Sequence, residues 1–308
     1  MYLTHFQLRE YPFGITPDTS FYFSSAASQQ ALNTLLVAAR SGEGFIKITG
    51  EVGTGKTLLC RQLLRALAQE SFQTAYIPNP ALTPHGLLAA LALELGVDTV
   101  GLALAPEPRH QPALLAALNE RLLTLAEAGQ RVVVCLDEAQ AMPIETLEAL
   151  RLLTNLETEK RKLLQVVIFG QPELDAKLDH VSIRQLKQRI TFDDRLMPLT
   201  RDELGRYLAH RMSVAGWEGE RCFSAAAVRL IHLRTGGYPR LANVVAHKAL
   251  LCAYGRGRRR VGWSEAREAL RDTRAAHFGW GRLVLGATLG LVVASAASAG
   301  WWLARNGL

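Results

Sequence analysis

The eight residues from Gly50 to Thr57 have the types and spacing of a phosphate-binding loop. They read Gly-Glu-Val-Gly-Thr-Gly-Lys-Thr and match the pattern G-x-x-x-x-G-K-[ST]. Glycines let backbone N–H groups turn inward around a phosphate, and a following helix adds the positive end of its dipole. We expect Lys56 to reach the β- and γ-phosphates of ATP and the Thr57 hydroxyl to bind Mg²⁺. The predicted nucleotide-binding residues are Gly50, Glu51, Val52, Gly53, Thr54, Gly55, Lys56, Thr57 and Leu58.

The flanks of this loop favour the phosphate-binding interpretation. An apolar run at residues 45–49 precedes the loop, and an apolar-periodic run begins at Leu58. A strand, a glycine loop and a helix in this order are the context in which the pattern binds a nucleotide. The alternative is a glycine-rich turn that contains Lys-Thr by chance, and the flanking pattern weighs against it.

Two adjacent carboxylates close a second predicted strand. Residues 131–139 read Arg-Val-Val-Val-Cys-Leu-Asp-Glu-Ala, a continuous apolar run typical of a strand buried on both faces. Because side chains alternate along a strand, Asp137 and Glu138 have different roles. We expect Asp137 to hold the Mg²⁺ shell and Glu138 to polarise the water that attacks the γ-phosphate. The alternative is a solvated acidic strand end.

A further polar residue follows the next predicted strand. That strand covers residues 163–169, and Gly-Gln-Pro comes directly after it. If the strand lies between the one that precedes the glycine loop and the acidic one, Gln171 is near the γ-phosphate. The alternative, a polar loop residue without a role, stays open at this point.

The periodicities around these residues predict an α/β domain followed by helices. Strand and helix patterns alternate through residue 197, which indicates a five-stranded parallel sheet with helices on both faces. From Thr200 the pattern is purely helical, and Ser264 is expected to cap the last of four helices. We therefore expect a nucleotide-binding domain over residues 1–199 and a small helical lid over residues 200–276.

Charge and cysteine usage limit the partners and the compartment. The net charge is +7, from 35 Lys and Arg against 28 Asp and Glu. A cluster of arginines near the C-terminus indicates an anionic partner, either phospholipid headgroups or nucleic acid. The four cysteines form no C-x-x-C pattern, so we expect buried thiols in a reducing compartment. The clustered arginines are Arg256, Arg258, Arg259, Arg260, Arg267, Arg271, Arg274 and Arg282.

The end of the chain predicts a membrane anchor within residues 277–308. Residues 283–304 carry no charged side chain. A helix of that length extends roughly 33 Å, enough to cross a bilayer core of about 30 Å. Tryptophans lie near both ends, and the arginine excess before the segment predicts that the N-terminal part faces the cytoplasm. A buried core helix is the alternative. Residues 1–10 lack the apolar region of a signal peptide.

Taken in order, the motifs resemble an AAA+ ATPase of bacterial secretion and pilus machinery. They are similar to the general secretion pathway A (ExeA-like) proteins and to the MshM family of mannose-sensitive haemagglutinin (MSHA) pilus biogenesis. The resemblance covers residues 1–274. ExeA-like proteins continue into a periplasmic peptidoglycan-binding domain, whereas this sequence stops at Leu308, so direct binding to the cell wall is not expected. The motifs are Tyr-Pro-Phe, Gly-Glu-Val-Gly-Thr-Gly-Lys-Thr, Leu-Asp-Glu-Ala-Gln, Phe-Gly-Gln-Pro-Glu-Leu, Gln-Arg-Ile and Gly-Tyr-Pro-Arg-Leu-Ala-Asn.

This resemblance implies roles for several residues. Gln171 is the sensor after the fourth strand, and Arg240 is the lid arginine that contacts the γ-phosphate. Arg189, or failing that Arg184, is the finger inserted into the site of a neighbouring subunit. The family also implies a homo-oligomer, either a ring or a filament, with inner-membrane pilus or secretion components as partners. The catalytic set implied in this way is Lys56, Glu138, Gln171, Arg189 and Arg240.

Two functions follow as hypotheses. The first is a membrane-anchored AAA+ ATPase of the bacterial inner membrane, which hydrolyses ATP to drive assembly of an MSHA or type IV pilus or of a type II secretion complex. The second is a nucleic-acid-binding regulatory AAA+ ATPase of the transposition or initiator type. The sequence has no legible helix-turn-helix, and anionic lipid explains arginines beside a membrane segment more simply than nucleic acid does.

Overall fold

A five-stranded parallel sheet lies at the centre of residues 16–197, as the strand patterns predict. Its strand order is β2-β3-β4-β1-β5, and every pairing between neighbouring strands is parallel. The structure is a computed structural model that describes residues 2–97, 111–157 and 162–273. The strands are β1 (Phe45–Thr49), β2 (Phe72–Ile77), β3 (Arg131–Leu136), β4 (Leu164–Gly170) and β5 (Phe192–Arg195).

Helices cover both faces of this sheet, which confirms the predicted layering. Val133 and Cys135 of β3 pack into one apolar core, whereas Val132 and Val134 pack into the other. This alternation is the pattern of a strand buried on both faces. One core includes α2 (Ala26–Ser41) and α3 (Lys56–Leu67), and the other includes α4 (Pro84–Glu94), α5 (Gln111–Glu127) and α6 (Ile144–Leu153).

The position of β4 determines where the polar residues meet. β4 lies between β1 and β3, so the carboxyl ends of these three strands are neighbours at one edge of the sheet. After β4 the chain forms α7 (Glu173–Leu178), a 3₁₀ turn (Val181–Ile183) and α8 (Arg184–Lys187). Helix α7 was not predicted from the sequence.

Four longer helices form the second unit. α9 begins with the capping box of Thr200 and Glu203 that the sequence predicts. The predicted cap of α12 is wrong: Gly262 is the N-cap, and Ser264 lies inside the helix. The reason is that the Glu265 carboxylate accepts a hydrogen bond from the Gly262 N–H at 2.9 Å. The first helical turn therefore begins two residues earlier than a cap at Ser264 would place it. The helices are α9 (Arg201–Val214), α10 (Ala225–Thr235), α11 (Pro239–Gly255) and α12 (Trp263–Arg271).

The N-terminal arm, residues 2–15, packs with these four helices. It contains α1 (Tyr2–Phe6), and the Tyr2 hydroxyl lies 2.9 Å from His247 Nδ1. The Phe13 ring contacts the Phe223 ring edge to face, with 5.6 Å between the centroids. The sequence analysis placed residues 1–199 in one domain, whereas contacts group residues 2–15 with residues 198–273. Buried aromatic side chains of the arm account for this grouping.

Of the described residues, no helix combines the length and the apolar character that crossing a membrane requires. The predicted juxtamembrane segment and anchor, residues 277–308 with the span at 283–304, lie outside the described residues.

Candidate active site

The glycine loop joins β1 to α3, and its backbone needs glycine at several positions. Gly53 and Gly55 have φ angles of +81° and +104°, in the left-handed region that side chains disfavour. At Gly50 a Cβ atom would lie 2.8 Å from Thr54 Oγ1 and 3.0 Å from the Leu196 carbonyl oxygen. The loop is therefore wrapped tightly, as a phosphate cradle requires.

Lys56 is the buried cation of this loop. Its Nζ donates to the carbonyl oxygens of Gly50, at 2.8 Å, and Glu51, at 3.1 Å. Burial lowers the pKa of the Lys56 ammonium, and the nearby carboxylates of Glu138 and Asp137 partly offset this effect. A buried ammonium held by neutral carbonyls is suited to an anionic ligand, because phosphate oxygens replace those acceptors and add opposite charge.

Thr57 and Asp137 place two oxygen ligands together. Thr57 Oγ1 donates to Asp137 Oδ2 at 2.6 Å, which joins the start of α3 to the residue after β3. Burial raises the pKa of the Asp137 carboxyl, and the hydrogen bond from Thr57 opposes that rise. Hydroxyl and carboxylate oxygens are the donors that Mg²⁺ prefers, so this pair fits the predicted metal.

Glu138 has a backbone conformation that few residues with side chains adopt. Its φ and ψ are 56° and 37°, in the left-handed helical region. Such strain is found at functional sites when the surroundings hold the residue in place. The Glu138 backbone N–H donates to Asp137 Oδ1 at 3.0 Å, and Glu138 Oε2 accepts from Gln140 Nε2 at 2.6 Å.

Gln171 lies beside Glu138, and its place near the γ-phosphate stays a prediction. It follows β4, and its Nε2 donates to Glu138 Oε2 at 3.2 Å. Its backbone N–H donates to Gln140 Oε1 at 2.9 Å. Gln140 is the residue that the sequence analysis missed, although the motif Leu-Asp-Glu-Ala-Gln contains it. The structure therefore brings Lys56, Thr57, Asp137, Glu138, Gln140 and Gln171 together within residues 16–197.

The two finger candidates differ in their surroundings. Arg189 is half-buried, and its guanidinium donates to the Arg151 carbonyl oxygen at 3.2 Å and to Thr154 Oγ1 at 2.8 Å. These acceptors lie at the C-terminal end of α6, where carbonyls lack helical partners. Arg189 therefore caps a helix of its own chain. Arg184 is exposed at the first residue of α8.

Arg240 lies in the helical unit. It is exposed and is the second residue of α11. The turn before α11 needs a glycine, because Gly237 has a φ of +78° and a Cβ there would lie 2.0 Å from the Leu199 carbonyl oxygen. The predicted contact of Arg240 with the γ-phosphate stays a prediction.

Three of the clustered arginines form ion pairs within the helical unit. Arg256 and Arg258 both bind Glu265 Oε1, at 2.7 and 2.9 Å, and Arg260 pairs with Glu220. The Glu265 side chain has no exposed surface. These pairings give the three arginines a structural role that requires neither lipid nor nucleic acid. Arg274 and Arg282 lie outside the described residues.

The buried Glu265 predicts a pH-dependent stability. Burial alone would raise the pKa of Glu265, but hydrogen bonds from Arg256, Ser264 and backbone N–H groups outweigh it and lower the pKa to about 2. Because the folded pKa is below the ordinary value, the stabilisation is complete above about pH 4.5 and is lost as the pH falls toward 2. We expect Glu265→Gln to lower the free energy of unfolding at pH 7 by about 2 kcal/mol, with solvent screening at the exposed arginines included.

Urea unfolding of the whole chain and of this variant between pH 3 and pH 7 measures that difference. The difference in the free energy of unfolding between the two proteins should become smaller as the pH falls. Glu268→Gln is the control, because this carboxylate pairs with Arg256 but is exposed. A gap that stays constant with pH would contradict the assignment.

Comparison with known proteins shows what the chain is similar to. Residues 39–178 match a family model described as an AAA domain. The chain is 38% identical over 305 residues to the general secretion pathway protein A of Aeromonas hydrophila. That alignment covers 98% of this chain and 54% of the relative. The chain therefore spans about half the length of the curated relative it matches.

Solved structures share the fold at lower identity. The Aeropyrum pernix ORC2 protein is 20% identical with a TM-score of 0.60, over 84% of this chain and 72% of that one. Cdc6p from Pyrobaculum aerophilum is 21% identical with a TM-score of 0.63, over 83% and 70%. The Thermotoga maritima RuvB branch migration motor is 17% identical with a TM-score of 0.53, over 80% and 69%. These identities establish the fold alone.

The resemblance drawn from the motifs to secretion-pathway A proteins is thus confirmed by alignment of nearly the whole chain. Residues 39–178 match an AAA domain, and nearly the whole chain is similar to general secretion pathway protein A.

Proposed function

We propose that this chain is an AAA+ ATPase that binds ATP with Mg²⁺ and hydrolyses it. One observation carries the proposal: the lysine, the hydroxyl and the carboxylates that ATP hydrolysis needs meet at the carboxyl ends of β1, β3 and β4. Ligands of open α/β sheets bind at this edge. Phosphoryl transfer to water needs positioned charge more than covalent chemistry, and these residues supply it.

Each residue has a distinct task in this proposal. Lys56 and the loop N–H groups bind the phosphates, and Thr57 and Asp137 hold Mg²⁺. The metal, when bound, neutralises negative charge on the phosphates. Glu138 accepts a proton from the attacking water, and Gln171 contacts the γ-phosphate. Arg240 contacts the same phosphate from the helical lid, residues 200–276, so that loss of the phosphate moves the lid.

The cellular part of the proposal joins hydrolysis to the bacterial envelope. Residues 283–304 anchor the chain in the inner membrane with the ATPase in the cytoplasm, and homo-oligomers drive assembly of a type II secretion complex or an MSHA or type IV pilus. The support is the alignment to a protein named for the general secretion pathway and the uncharged tail. The clustered arginines other than Arg256, Arg258 and Arg260, whose carboxylate partners already hold them, contact anionic lipid. The nucleic-acid alternative is weaker, because anionic lipid explains arginines beside an uncharged tail more simply.

Lys56→Ala tests this function in the whole chain purified in detergent. Without the ammonium, we expect the affinity for Mg·ATP to fall at least tenfold and hydrolysis to fall below detection. Fluorescent-nucleotide titration and phosphate release measure the two effects. The control is Lys162→Ala, because this lysine is exposed and forms a surface ion pair with Glu157. Equal ATP affinity in both variants would refute the proposed site.

The same variant tests the role in the envelope. In a bacterium that lacks its own copy of the gene, Lys56→Ala should leave the secretion or pilus complex unassembled, whereas Lys162→Ala should restore it. Assembly is followed by the appearance of exported protein or surface pili. A complex that assembles normally with Lys56→Ala would separate ATP hydrolysis from the envelope function.

A further inference from the structure

Gln140 closes a ring of three hydrogen bonds at the end of β3 and β4. Its Nε2 donates to Glu138 Oε2 at 2.6 Å, and its Oε1 accepts from the Gln171 backbone N–H at 2.9 Å. Gln171 Nε2 completes the ring by donating to the same Glu138 oxygen at 3.2 Å. Gln140 lies in a 3₁₀ turn, Ala139–Ala141, directly after Glu138.

The ring fixes which way the Gln140 amide points. A backbone N–H can only donate, so the Gln140 atom that faces Gln171 must be the carbonyl oxygen. The amide NH₂ therefore faces Glu138, and a carboxylate is the acceptor that strengthens such a bond. In the described part of the chain, Glu138 Oε1 takes no hydrogen bond and is available to a water molecule, while Oε2 receives both donors.

Bound ATP is expected to remove one of the two donors, Gln140 and Gln171, from the Glu138 carboxylate. In the proposed function, the Gln171 amide contacts the γ-phosphate, so it turns away from Glu138 when the site is loaded. Gln140 then holds the carboxylate alone. Because its own orientation is set by the Gln171 backbone, Gln140 links the residue that detects the phosphate to the residue that accepts the proton.

We propose that Gln140 is a positioning residue that holds the Glu138 carboxylate during hydrolysis and transmits the position of the Gln171 loop to it. This proposal rests on the proposed ATPase function. A carboxylate held by a hydrogen bond keeps one orientation. Loss of the Gln140 donor therefore lets the Glu138 carboxylate turn away from the attacking water, which it must reach to accept a proton.

Gln140→Glu is the sharpest test, because glutamate has nearly the same shape. It keeps an oxygen for the Gln171 N–H and replaces the donor to Glu138 with a second carboxylate. We expect kcat at pH 7 to fall about 10- to 100-fold, with the ATP dissociation constant within about threefold.

Gln140→Leu and Gln130→Glu complete the set. The leucine variant removes the donor without adding charge, so its kcat should fall about tenfold, again with the ATP dissociation constant within about threefold. Gln130→Glu adds the same charge at a half-buried glutamine before β3, at the other end of that strand, and should change neither quantity. Thermal unfolding of each variant checks that the fold is retained.

A double substitution separates this proposal from a merely structural role. In a chain that already carries Glu138→Gln, Gln140→Leu should lower kcat further by less than about twofold, because Gln140 acts through the Glu138 carboxylate. An unchanged kcat in both Gln140 variants, or a full further loss in the double variant, would overturn the positioning role. Absence of hydrolysis by the unmodified chain would instead overturn the proposed function.

Discussion

Replacing Glu138 with glutamine is expected to leave ATP binding intact and to lower kcat about 10³-fold. The physical reason is that an amide cannot accept the proton of the attacking water, whereas the carboxylate can. The phosphate contacts of the loop do not involve this side chain, so the affinity for Mg·ATP should stay within about twofold. Single-turnover hydrolysis and nucleotide titration measure the two quantities separately.

The surroundings of Glu138 allow this substitution without loss of the hydrogen bonds to residue 138. Its Oε2 accepts from Gln140 and Gln171, and a glutamine carbonyl oxygen at the same place accepts both bonds. The fold and the strained backbone of residue 138 should therefore be retained. Glu145→Gln is the control, because Glu145 is an exposed acid in the first turn of α6. Turnover retained by Glu138→Gln would remove this residue from the role of base.

The strands of the sheet and the candidate site residues could be predicted from the sequence, because an apolar strand pattern is followed each time by residues with a recognisable chemistry. β1, β3 and β4 are short, largely apolar runs that are buried except for Arg131 at the start of β3, so composition alone identifies them. Each of the three is followed by a residue type with an evident role in phosphate chemistry. Because parallel strands align their carboxyl ends, the meeting of the glycine loop, Asp137, Glu138 and Gln171 follows from the strand order.

The features that the sequence missed depend on contacts between distant residues. Gln140 looks like an ordinary polar residue of a turn, and only the placement of the β4 loop gives it a partner 31 residues away. Arg189 has the type of a finger residue, yet the end of α6 lies close enough to take its guanidinium. Tyr2 and Phe6 of the N-terminal arm are buried, and contacts group the arm with the helical unit. The sequence pattern of the arm shows which residues are apolar, but it does not show which part of the chain they pack against.

The second large effect on kcat is expected from an arginine finger that a neighbouring subunit supplies. On structural grounds we expect Arg184, and not Arg189, to be that arginine. An arginine that enters another subunit must be free to leave its own. Arg184 is exposed at the start of α8, whereas Arg189 already has two acceptors at the end of α6. We expect Arg184→Ala to lower kcat about 10³-fold or more, because an arginine supplied in trans has effects of that size.

Arg189→Ala is the matched variant, and its effect should be of another kind. Loss of Arg189 removes one of the two donors to the Arg151 carbonyl oxygen and the donor to Thr154 Oγ1, which should lower the free energy of unfolding by about 1–2 kcal/mol. Its kcat should fall far less than that of Arg184→Ala. Thermal unfolding and steady-state hydrolysis, at protein concentrations that keep the oligomer together, distinguish the two. The reverse pattern would return the finger to Arg189.

Mixing two inactive variants tests whether the arginine acts in trans. Arg184→Ala keeps an intact phosphate-binding loop, and Lys56→Ala keeps an intact Arg184. In a mixed oligomer, an Arg184→Ala subunit next to a Lys56→Ala subunit has a complete site between them. At equal amounts about a quarter of the interfaces are complete, so hydrolysis should recover toward that fraction of the unmodified rate. An arginine that acts on its own subunit's ATP gives no recovery at any mixing ratio, because neither variant then contains a complete site.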